Sequence, residues 1–407
     1  MRRPHLFLAV LITAATAAYA QPGDAAARRG IDSVRKLLEA RPEDPVLWFY
    51  LARFQAEAGD ARASVEALDK VAALGDGFLP ARDGFERIWN DAAFQAVRAK
   101  LDARLPRLDF APTAFQLEDA LFIPEGIAYD APSHMFFMGS IPQHRIVRID
   151  ATTQAVQTFA GAEAHLDSVL GLTVDTPRRI LYAVSTSALT QSGEASRRNA
   201  VVAFDIDTKR LVRRYDIPEA QQLNDVAVAA GGRAFVTDSA SGAVYELPVK
   251  APAAARVVLA PGRLRGTNGI AASPDAKRLY VAHSTGLAVI DLASGEMQRV
   301  ANDTRENIAG IDGLYEWQGQ LVGVENVTNP GRVVVMTLSS DGAKVTRVQT
   351  LLSHHHNALY EPTTGVVTPN GFFLLAATGV SHYNAQGGIV RAEALPPPTV
   401  LRVPLPR

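Results

Sequence analysis

The sequence of 407 residues predicts a mainly β protein, a six-bladed β-propeller preceded by a small all-α domain. Three observations predict this fold class. A short strand motif recurs six times after residue 112, and a second apolar strand follows each copy. Helical periodicity is confined to the residues before these repeats. Repeats of about 45 residues with four short strands each are typical of propeller blades.

The repeated motif places a variable residue before Gly or Asp and then an apolar residue. Its copies lie roughly 45 to 55 residues apart, which suits a four-stranded blade. The first two residues of the copies are Glu125-Gly126, Leu170-Gly171, Asn224-Asp225, Asn268-Gly269, Asp312-Gly313 and Thr364-Gly365. The second strands are predicted at residues 134–138, 179–184, 232–237, 277–282, 320–324 and 371–376. The alternative, a β-sandwich, would require this spacing to be accidental.

The sixth unit is one strand short, because its second strand and a long loop are followed only by residues 399–405 as a further strand. Residues 113–118 could supply the missing outer strand. The ring would then close with both ends of the propeller in one blade, which removes an exposed sheet edge. The propeller is therefore predicted to span residues 111–407.

Composition excludes several classes of site. The net charge is −1 and there is no long basic run, which argues against a nucleic-acid partner. The chain has no cysteine, so disulfides, thiolate nucleophiles, zinc–sulfur sites and a lipid-modified cysteine are all excluded.

The N-terminus predicts a signal peptide at residues 1–20. Arg2 and Arg3 form a basic start, residues 6–17 are apolar, and residues 18–20 give a small-x-small cleavage site. The alternative is a membrane anchor, but the apolar run is shorter than the roughly 20 residues that a span needs. No later apolar run could cross a bilayer. The expectation is an exported protein, periplasmic or secreted, and soluble after cleavage.

Residues 21–110 predict a helical domain. A proline turn at 42–45 and the Gly59-Asp60 pair separate helical stretches, and residues 85–105 predict a further helix. Leu51-Ala52, Gly59-Asp60 and Ala67 resemble the tetratricopeptide repeat over about one and a half repeats. Because so short an array buries little surface by itself, it is expected to pack on the neighbouring propeller. It is either a protein-binding groove or, as we favour, a structural cap.

The register of the repeats predicts a metal site. In a propeller the first strand of each blade is innermost, so the first residues of the six motifs should ring the axis at one face. Four of these residues carry hard oxygen ligands: Glu125, Asn224, Asn268 and Asp312. Such ligands suit one divalent cation, calcium rather than zinc. The alternative is that the Asn and Asp residues only cap strands and turns.

The segments around these four residues resemble the senescence marker protein/gluconolactonase family. They are residues 124–128, 223–227, 267–270 and 311–314. The resemblance covers roughly residues 113–405 and implies a propeller with a calcium or other divalent ion at the four matched positions. It also implies lactone hydrolysis. Some sugar lactonases of that family carry a basic residue where this chain has Gln222, so neutral or hydrophobic lactones are expected here.

A second polar ring is predicted where the second strands end, and long loops at 185–199 and 379–398 could serve as lids. The candidates for the rim and the substrate are Ser140, Gln222, Ser284, Asn326, His355 and His382. His355 belongs to three consecutive histidines, 354–356, which are expected to point in different directions in a solvated loop.

Two functions follow from these residues. The first is a metal-dependent hydrolase that opens a small lactone or ester, with Asp312, Asp238 or a rim histidine as the general base. The second is a non-catalytic propeller in which the metal is structural and the helical domain binds a protein partner. Propellers carry out both roles, so the fold does not decide between them.

Overall fold

A computed structural model of the protein describes residues 24–189, 197–249, 253–384 and 386–406. The predicted signal peptide lies outside these residues, as does the centre of the loop at 185–199. Within the described residues, a region of four α-helices precedes a six-bladed propeller, so the predicted fold class is confirmed. None of the helices in this part of the chain is long and apolar enough to cross a membrane.

Aspartates begin three of the helices. The helices are α1 (Asp24–Ala40), α2 (Pro45–Glu57), α3 (Ala61–Leu74) and α4 (Ala92–Asp102). Asp44, Asp60 and Asp91 each accept a hydrogen bond from a backbone N–H of the first turn, at 2.9 to 3.0 Å. Such caps satisfy donors that the helix itself leaves unpaired. The helix predicted at 85–105 is shorter than expected, because Asp91 begins it after the 3-10 turn Glu86–Ile88.

The first three blades are four-stranded antiparallel sheets. The strands are numbered from β1 (Thr113–Gln116), which belongs to the last blade. Blade one contains β2 (Pro124–Asp130), β3 (Met135–Ser140), β4 (Ile146–Asp150) and β5 (Val156–Ala160). Blade two contains β6 (Ser168–Asp175), β7 (Ile180–Thr186), β8 (Asn199–Asp205) and β9 (Leu211–Asp216). Blade three contains β10 (Leu223–Val228), β11 (Ala234–Asp238), β12 (Ala243–Glu246) and β13 (Arg256–Leu259).

The last three blades continue the ring. Blade four contains β14 (Ile270–Ala272), β15 (Arg278–His283), β16 (Gly286–Asp291) and β17 (Met297–Arg299). Blade five contains β19 (Ile311–Trp317), β20 (Gln320–Glu325), β21 (Arg332–Leu338) and β22 (Lys344–Leu352), with the short β18 (Ala301–Asn302) parallel to β22. Blade six contains β23 (Gly365–Thr368), β24 (Gly371–Ala377), β25 (Thr399–Val403) and β1.

The strand that closes the ring comes from the start of the propeller. Within β1, Phe115 pairs with Val400 of β25 in an antiparallel arrangement. The outer strand predicted for blade six is therefore confirmed. Apolar side chains fill the space between neighbouring blades. Between blades one and two, for example, the ring of Phe159 meets those of Phe137 and Phe204 edge to face, at 4.9 and 5.8 Å.

The connections that matter for function lie on one face of the propeller. Leu223 at the start of β10 pairs with Asp238 at the end of β11, and Ile311 pairs with Glu325 in the same way. The loops that enter the first strands therefore lie beside the loops that leave the second strands. We call this side of the propeller the upper face.

Glycine at the second motif position allows the inner strands to approach closely at the axis. A Cβ added at Gly126 would lie 2.2 Å from the carbonyl oxygen of Leu170 in the next blade. One added at Gly269 would lie 2.4 Å from the backbone nitrogen of Leu314. Both clashes would be with backbone atoms, which cannot move aside as a flexible side chain can.

Gly126→Ala should therefore destabilise the propeller by about 1–3 kcal/mol or more, as overpacking in a tight core does. Urea unfolding measures this change. The control is Gly388→Ala, because a Cβ there would meet only the side chain of Asn384 at 3.5 Å. Equal unfolding midpoints for the two variants would contradict the close approach at the axis.

The helical region packs on the upper face. The backbone nitrogen of Leu79 donates to the carbonyl of Thr328, between β20 and β21, at 3.0 Å. The Tyr50 hydroxyl donates to the carbonyl of Ser284, between β15 and β16, at 2.9 Å. Ala309, just before β19, lies in the core of the helical region. The helices thus cover part of the upper face at blades four and five, as a structural cap would.

A buried ion pair supports this interface. Nε of Arg332 donates to Oε2 of Glu325 at 2.8 Å, and both side chains are almost fully buried. The same guanidinium donates to Glu306 at 2.8 Å and to the carbonyl of Asn307 at 2.9 Å. Gly77 of the helical region lies directly against it, since a Cβ there would be 2.4 Å from the guanidinium. The pair therefore joins blade five to the segment after α3.

Candidate metal centre

Three of the predicted site residues form one hydrogen-bonded group. Nδ2 of Asn268, at the start of blade four, donates to Oδ1 of Asp312 at 2.7 Å. Nδ2 of Asn326, just after β20, donates to Oδ2 of Asp312 at 2.5 Å and to the carbonyl of Pro362 at 2.9 Å. Two amide groups thus hold the carboxylate of Asp312 from both sides. Asn326 belongs to the same blade as Asp312, and Asn268 belongs to blade four.

The other two predicted ligands are fixed by neighbouring strands. Nδ2 of Asn224 donates to the hydroxyl of Ser239 at 2.9 Å, and that hydroxyl donates to the carbonyl of Thr267. The backbone carbonyl of Glu125 accepts from the Thr364 hydroxyl at 2.5 Å. These bonds join blade three to blade four near Asn224 and blade six to blade one at the backbone of Glu125.

Four buried oxygen atoms at this site have no hydrogen-bond partner among the described residues. They are Oε2 of Glu125 and the Oδ1 atoms of Asn224, Asn268 and Asn326. Buried polar atoms are nearly always paired, so such a group of acceptors needs an explanation. All four are hard carboxylate or amide oxygens, the type that binds calcium and magnesium. The donor set therefore fits a divalent cation.

Asp312 differs from the other predicted ligands, because both of its oxygens already accept hydrogen bonds. A carboxylate has about four lone-pair sites, so it can accept these bonds and still bind an ion. Asn326 was expected only on the rim. The structure places it beside Asp312 and adds its amide oxygen to the unpaired set.

Three acidic side chains near the axis repel one another. Burial raises the pKa of Asp312 to about 6, against the opposing effect of its bonds from Asn326 and Asn268. Burial also raises the pKa of Asp225 to about 7. Burial and the charges of Asp312 and Asp225 raise the pKa of Glu125 well above its ordinary value. A bound cation would lower all three pKa values by favouring the charged forms.

Asp225 is a buried acid next to Asn224 that the sequence analysis did not select, and its charge acts on Glu125. It occupies the second motif position, where the other five copies have Gly. Its Oδ1 accepts from the backbone nitrogen of Val226 at 2.8 Å, and the Cα of Gly171 in blade two approaches it closely enough that a Cβ there would clash with Oδ1. The sequence contains the signal, because Asp225 is the one charged residue at this position of the repeat.

The other polar residues predicted for the rim form hydrogen bonds within the neighbouring loops. The hydroxyl of Ser140 donates to the carbonyl of Phe122, and that of Ser284 donates to the carbonyl of Arg265 at 2.8 Å. Asp238 is fully buried and accepts from the backbone nitrogens of residues 221 and 222 at 2.7 and 2.9 Å, and from the Ser241 hydroxyl at 2.7 Å. The geometry therefore favours Asp312 over Asp238 as a base. Gln222 is half-buried and lies two residues before Asn224, at the start of blade three.

The two candidate rim histidines are held by other groups. His382 is buried, with Nδ1 2.8 Å from the carbonyl of Val390 and Nε2 3.1 Å from the Tyr360 hydroxyl. His355 contacts Asp102 of α4, with Nε2 3.6 Å from Oδ1. The packed helical region therefore contacts the His355 side chain. The expectation that adjacent histidines diverge is wrong for His354 and His355, whose ring centroids are 4.0 Å apart.

Comparison with known proteins agrees with the resemblance found in the motifs. Residues 123–315 match the SMP-30/gluconolactonase/LRE-like region, and this span contains all four predicted ligands. The structure is similar to the major Malassezia sympodialis allergen Mala s 1, with 13% identity over 74% of this chain and 96% of the other, at a TM-score of 0.55.

A second similar structure is a gluconolactonase from Xanthomonas campestris, with 16% identity over 74% of this chain and 99% of the other, at a TM-score of 0.47. No curated protein matches the chain in sequence. The predicted resemblance to the gluconolactonase family is confirmed by the family match within residues 123–315.

Proposed function

We propose that this protein is a metal-dependent hydrolase that opens a small lactone or a related ester at the propeller axis. The observation that carries the proposal is the set of four buried oxygens without partners, on Glu125, Asn224, Asn268 and Asn326. The family match over residues 123–315, which contain Glu125, Asn224 and Asn268, supports lactonase-like chemistry.

The residues proposed to hold the ion are Glu125, Asn224, Asn268 and Asp312, with Asn326 as an additional oxygen donor. Calcium is the proposed ion, because it accepts six to eight oxygen ligands in flexible geometry. When bound, it would polarise a carbonyl as a Lewis acid and stabilise the negative charge that develops on the oxygen.

Asp312 is the proposed general base. A bound cation would keep this carboxylate ionised at neutral pH, which is the form that accepts a proton. Asn268 and Asn326 orient its two oxygens. A water that gives its proton to Asp312 adds its oxygen to the lactone carbonyl carbon. The ring C–O bond then breaks, and the proton passes to the released alkoxide, which yields a hydroxy acid.

The proposed substrates are neutral or hydrophobic lactones of small size. Gln222, just before the Asn224 motif, is uncharged and offers no ion pair to an acidic sugar lactone. The helical region covers part of the upper face at blades four and five. The open part of that face would therefore admit a compact substrate more readily than a polymer.

A panel of lactones and aryl esters tests the proposal. Calcium-loaded protein should hydrolyse at least one neutral lactone, and removal of the ion by chelation should abolish the turnover. Acidic sugar lactones should be poorer substrates than neutral ones. If calcium-loaded and chelated protein show the same background rate on every compound, the alternative of a binding propeller with a structural ion replaces the hydrolase.

The stabilisation by calcium should depend on pH. In metal-free protein, Asp312 and Asp225 have pKa values raised to about 6 and about 7, from the ordinary 3.8. Between these values the folded state binds more protons than the unfolded chain, so the stability that these groups give metal-free protein is fully present below about pH 4 and is lost as pH rises from there through 6 to 7. Calcium needs the ionised carboxylates and competes with these protons.

The increase in Tm on adding calcium should therefore be small near pH 5 and grow towards pH 8. Thermal melts in calcium and in chelator across this range measure it, with Asp312→Asn as the control that should show little increase at any pH. A calcium-induced shift that is the same at acid and neutral pH would contradict the role of these carboxylates.

A further inference from the structure

Three potential metal ligands meet where α4 contacts the loop that enters blade six. Nε2 of His354 lies 2.9 Å from Oδ1 of Asp102, and Nε2 of His355 lies 3.6 Å from the same oxygen. The ligand atoms of all three residues lie within 4.8 Å of one another. Their side chains are 15%, 17% and 34% exposed for His354, His355 and Asp102, so the group is largely shielded but reachable from solvent.

The backbone around the histidines is fixed by the segment that leads from α4 into the propeller. The nitrogen of Ser353 donates to the carbonyl of Leu108 at 2.8 Å, and the nitrogen of Leu108 donates to the Ser353 hydroxyl at 3.1 Å. The same hydroxyl lies 2.9 Å from Nδ1 of His355, which leaves Nε2 directed at Asp102. Contacts of this kind orient metal-binding imidazoles in known sites.

Two buried polar atoms in this group lack a hydrogen-bond partner among the described residues. They are Oδ1 of Asp102 and Nδ1 of His354. The contact of Oδ1 with Nε2 of His354 at 2.9 Å is an ion pair when that imidazole is protonated. Asp102 is also the last residue of α4, where the helix dipole disfavours a negative charge. A cation between these side chains would give Oδ1 of Asp102 a partner and would offset its negative charge at the end of the helix.

We propose that Asp102, His354 and His355 bind a divalent transition-metal ion of the zinc class. Imidazole nitrogen favours zinc, nickel and copper, whereas the oxygens of the axial site favour calcium. Ligand distances of about 2.1 Å in tetrahedral zinc sites place ligand atoms about 3.4 Å apart, close to the separations seen here. Three protein ligands leave a position for water.

This second site is independent of the proposed hydrolase chemistry and joins two parts of the fold. Asp102 belongs to the helical region, whereas the histidines belong to the connection between β22 and β23. An ion bound there would hold the helical region on the upper face of the propeller. Zinc should therefore slow proteolytic cleavage of residues 103–112, which link the two parts.

Calorimetric titration of calcium-loaded, full-length protein with zinc tests the proposal. Wild type should bind one zinc per chain, and His355→Ala and Asp102→Asn should each weaken this binding at least 100-fold while calcium stays bound. A circular dichroism spectrum equal to that of wild type shows that a variant is folded, whether or not calcium is bound. Cobalt(II) as a probe should give visible d–d absorption in wild type that is absent in Asp102→Asn.

The matched control is His144→Ala, which removes an exposed histidine outside this group and should leave zinc binding unchanged. The proposal is overturned if wild type and His355→Ala bind zinc equally. It is also overturned if zinc binding is lost in Asp312→Asn but kept in His355→Ala, since zinc would then occupy the axial site.

Discussion

Asp312→Asn should abolish stoichiometric calcium binding and lower kcat/KM for the best lactone by about 1000-fold or more. The change keeps the shape of the side chain but removes a negative charge from the proposed ligand set. It also places an amide group between the Nδ2 donors of Asn268 and Asn326, so one donor must lose its acceptor. Loss of Lewis-acid catalysis costs several kcal/mol in the barrier, and each 1.4 kcal/mol is about tenfold in rate.

Calcium content by elemental analysis and steady-state kinetics on the same preparation measure both effects. Asp303→Asn is the matched control, because Asp303 is an exposed acid in the same part of the chain, paired with Lys344 on the surface. This control should keep both calcium and activity. An Asp312→Asn protein that still binds one calcium would remove Asp312 from the ligand set.

Arg332→Met should destabilise the protein by about 3–5 kcal/mol. The substitution leaves Glu325 fully buried without its cation, and removal of one partner of a buried ion pair has a cost of this size. It also removes the contacts to Glu306 and to the carbonyl of Asn307 that support the helical interface. Unfolding in urea, followed by circular dichroism, measures the loss.

Two further variants separate this effect from a general sensitivity of blade five. Arg347→Met removes an exposed arginine from β22 and should change stability by less than about 0.5 kcal/mol. Adding Glu325→Gln to Arg332→Met should recover part of the loss, because a neutral amide is less costly to bury than a carboxylate. If Arg332→Met were no more destabilising than Arg347→Met, the buried pair would have no structural importance.

The sequence was sufficient for the parts of the fold that repeat. Each motif copy carries its own strand, and the Gly at its second position reflects the close approach seen at Gly126 and Gly269. Because all first strands are equivalent in a propeller, the register alone predicts that Glu125, Asn224, Asn268 and Asp312 lie near one another. The closing strand β1 could be predicted because an open edge in blade six required one.

The contacts that the sequence could not predict join residues distant along the chain or depend on side-chain direction. Repeat register put Asn326 on the rim, but only the structure directs its amide at Asp312. The contact of His354 and His355 with Asp102 depends on how α4 packs against blade six. No local periodicity encodes that packing, so the histidines were expected in a solvated loop.

The most direct test of the central claim is a calcium titration of chelated wild-type protein in which bound calcium and lactone turnover are measured on the same samples. We predict that turnover rises in proportion to calcium bound and reaches its maximum at one equivalent per chain. Protein that binds one calcium and yet hydrolyses no lactone above the chelated background, or that hydrolyses equally well without calcium, would contradict catalysis at the axial site.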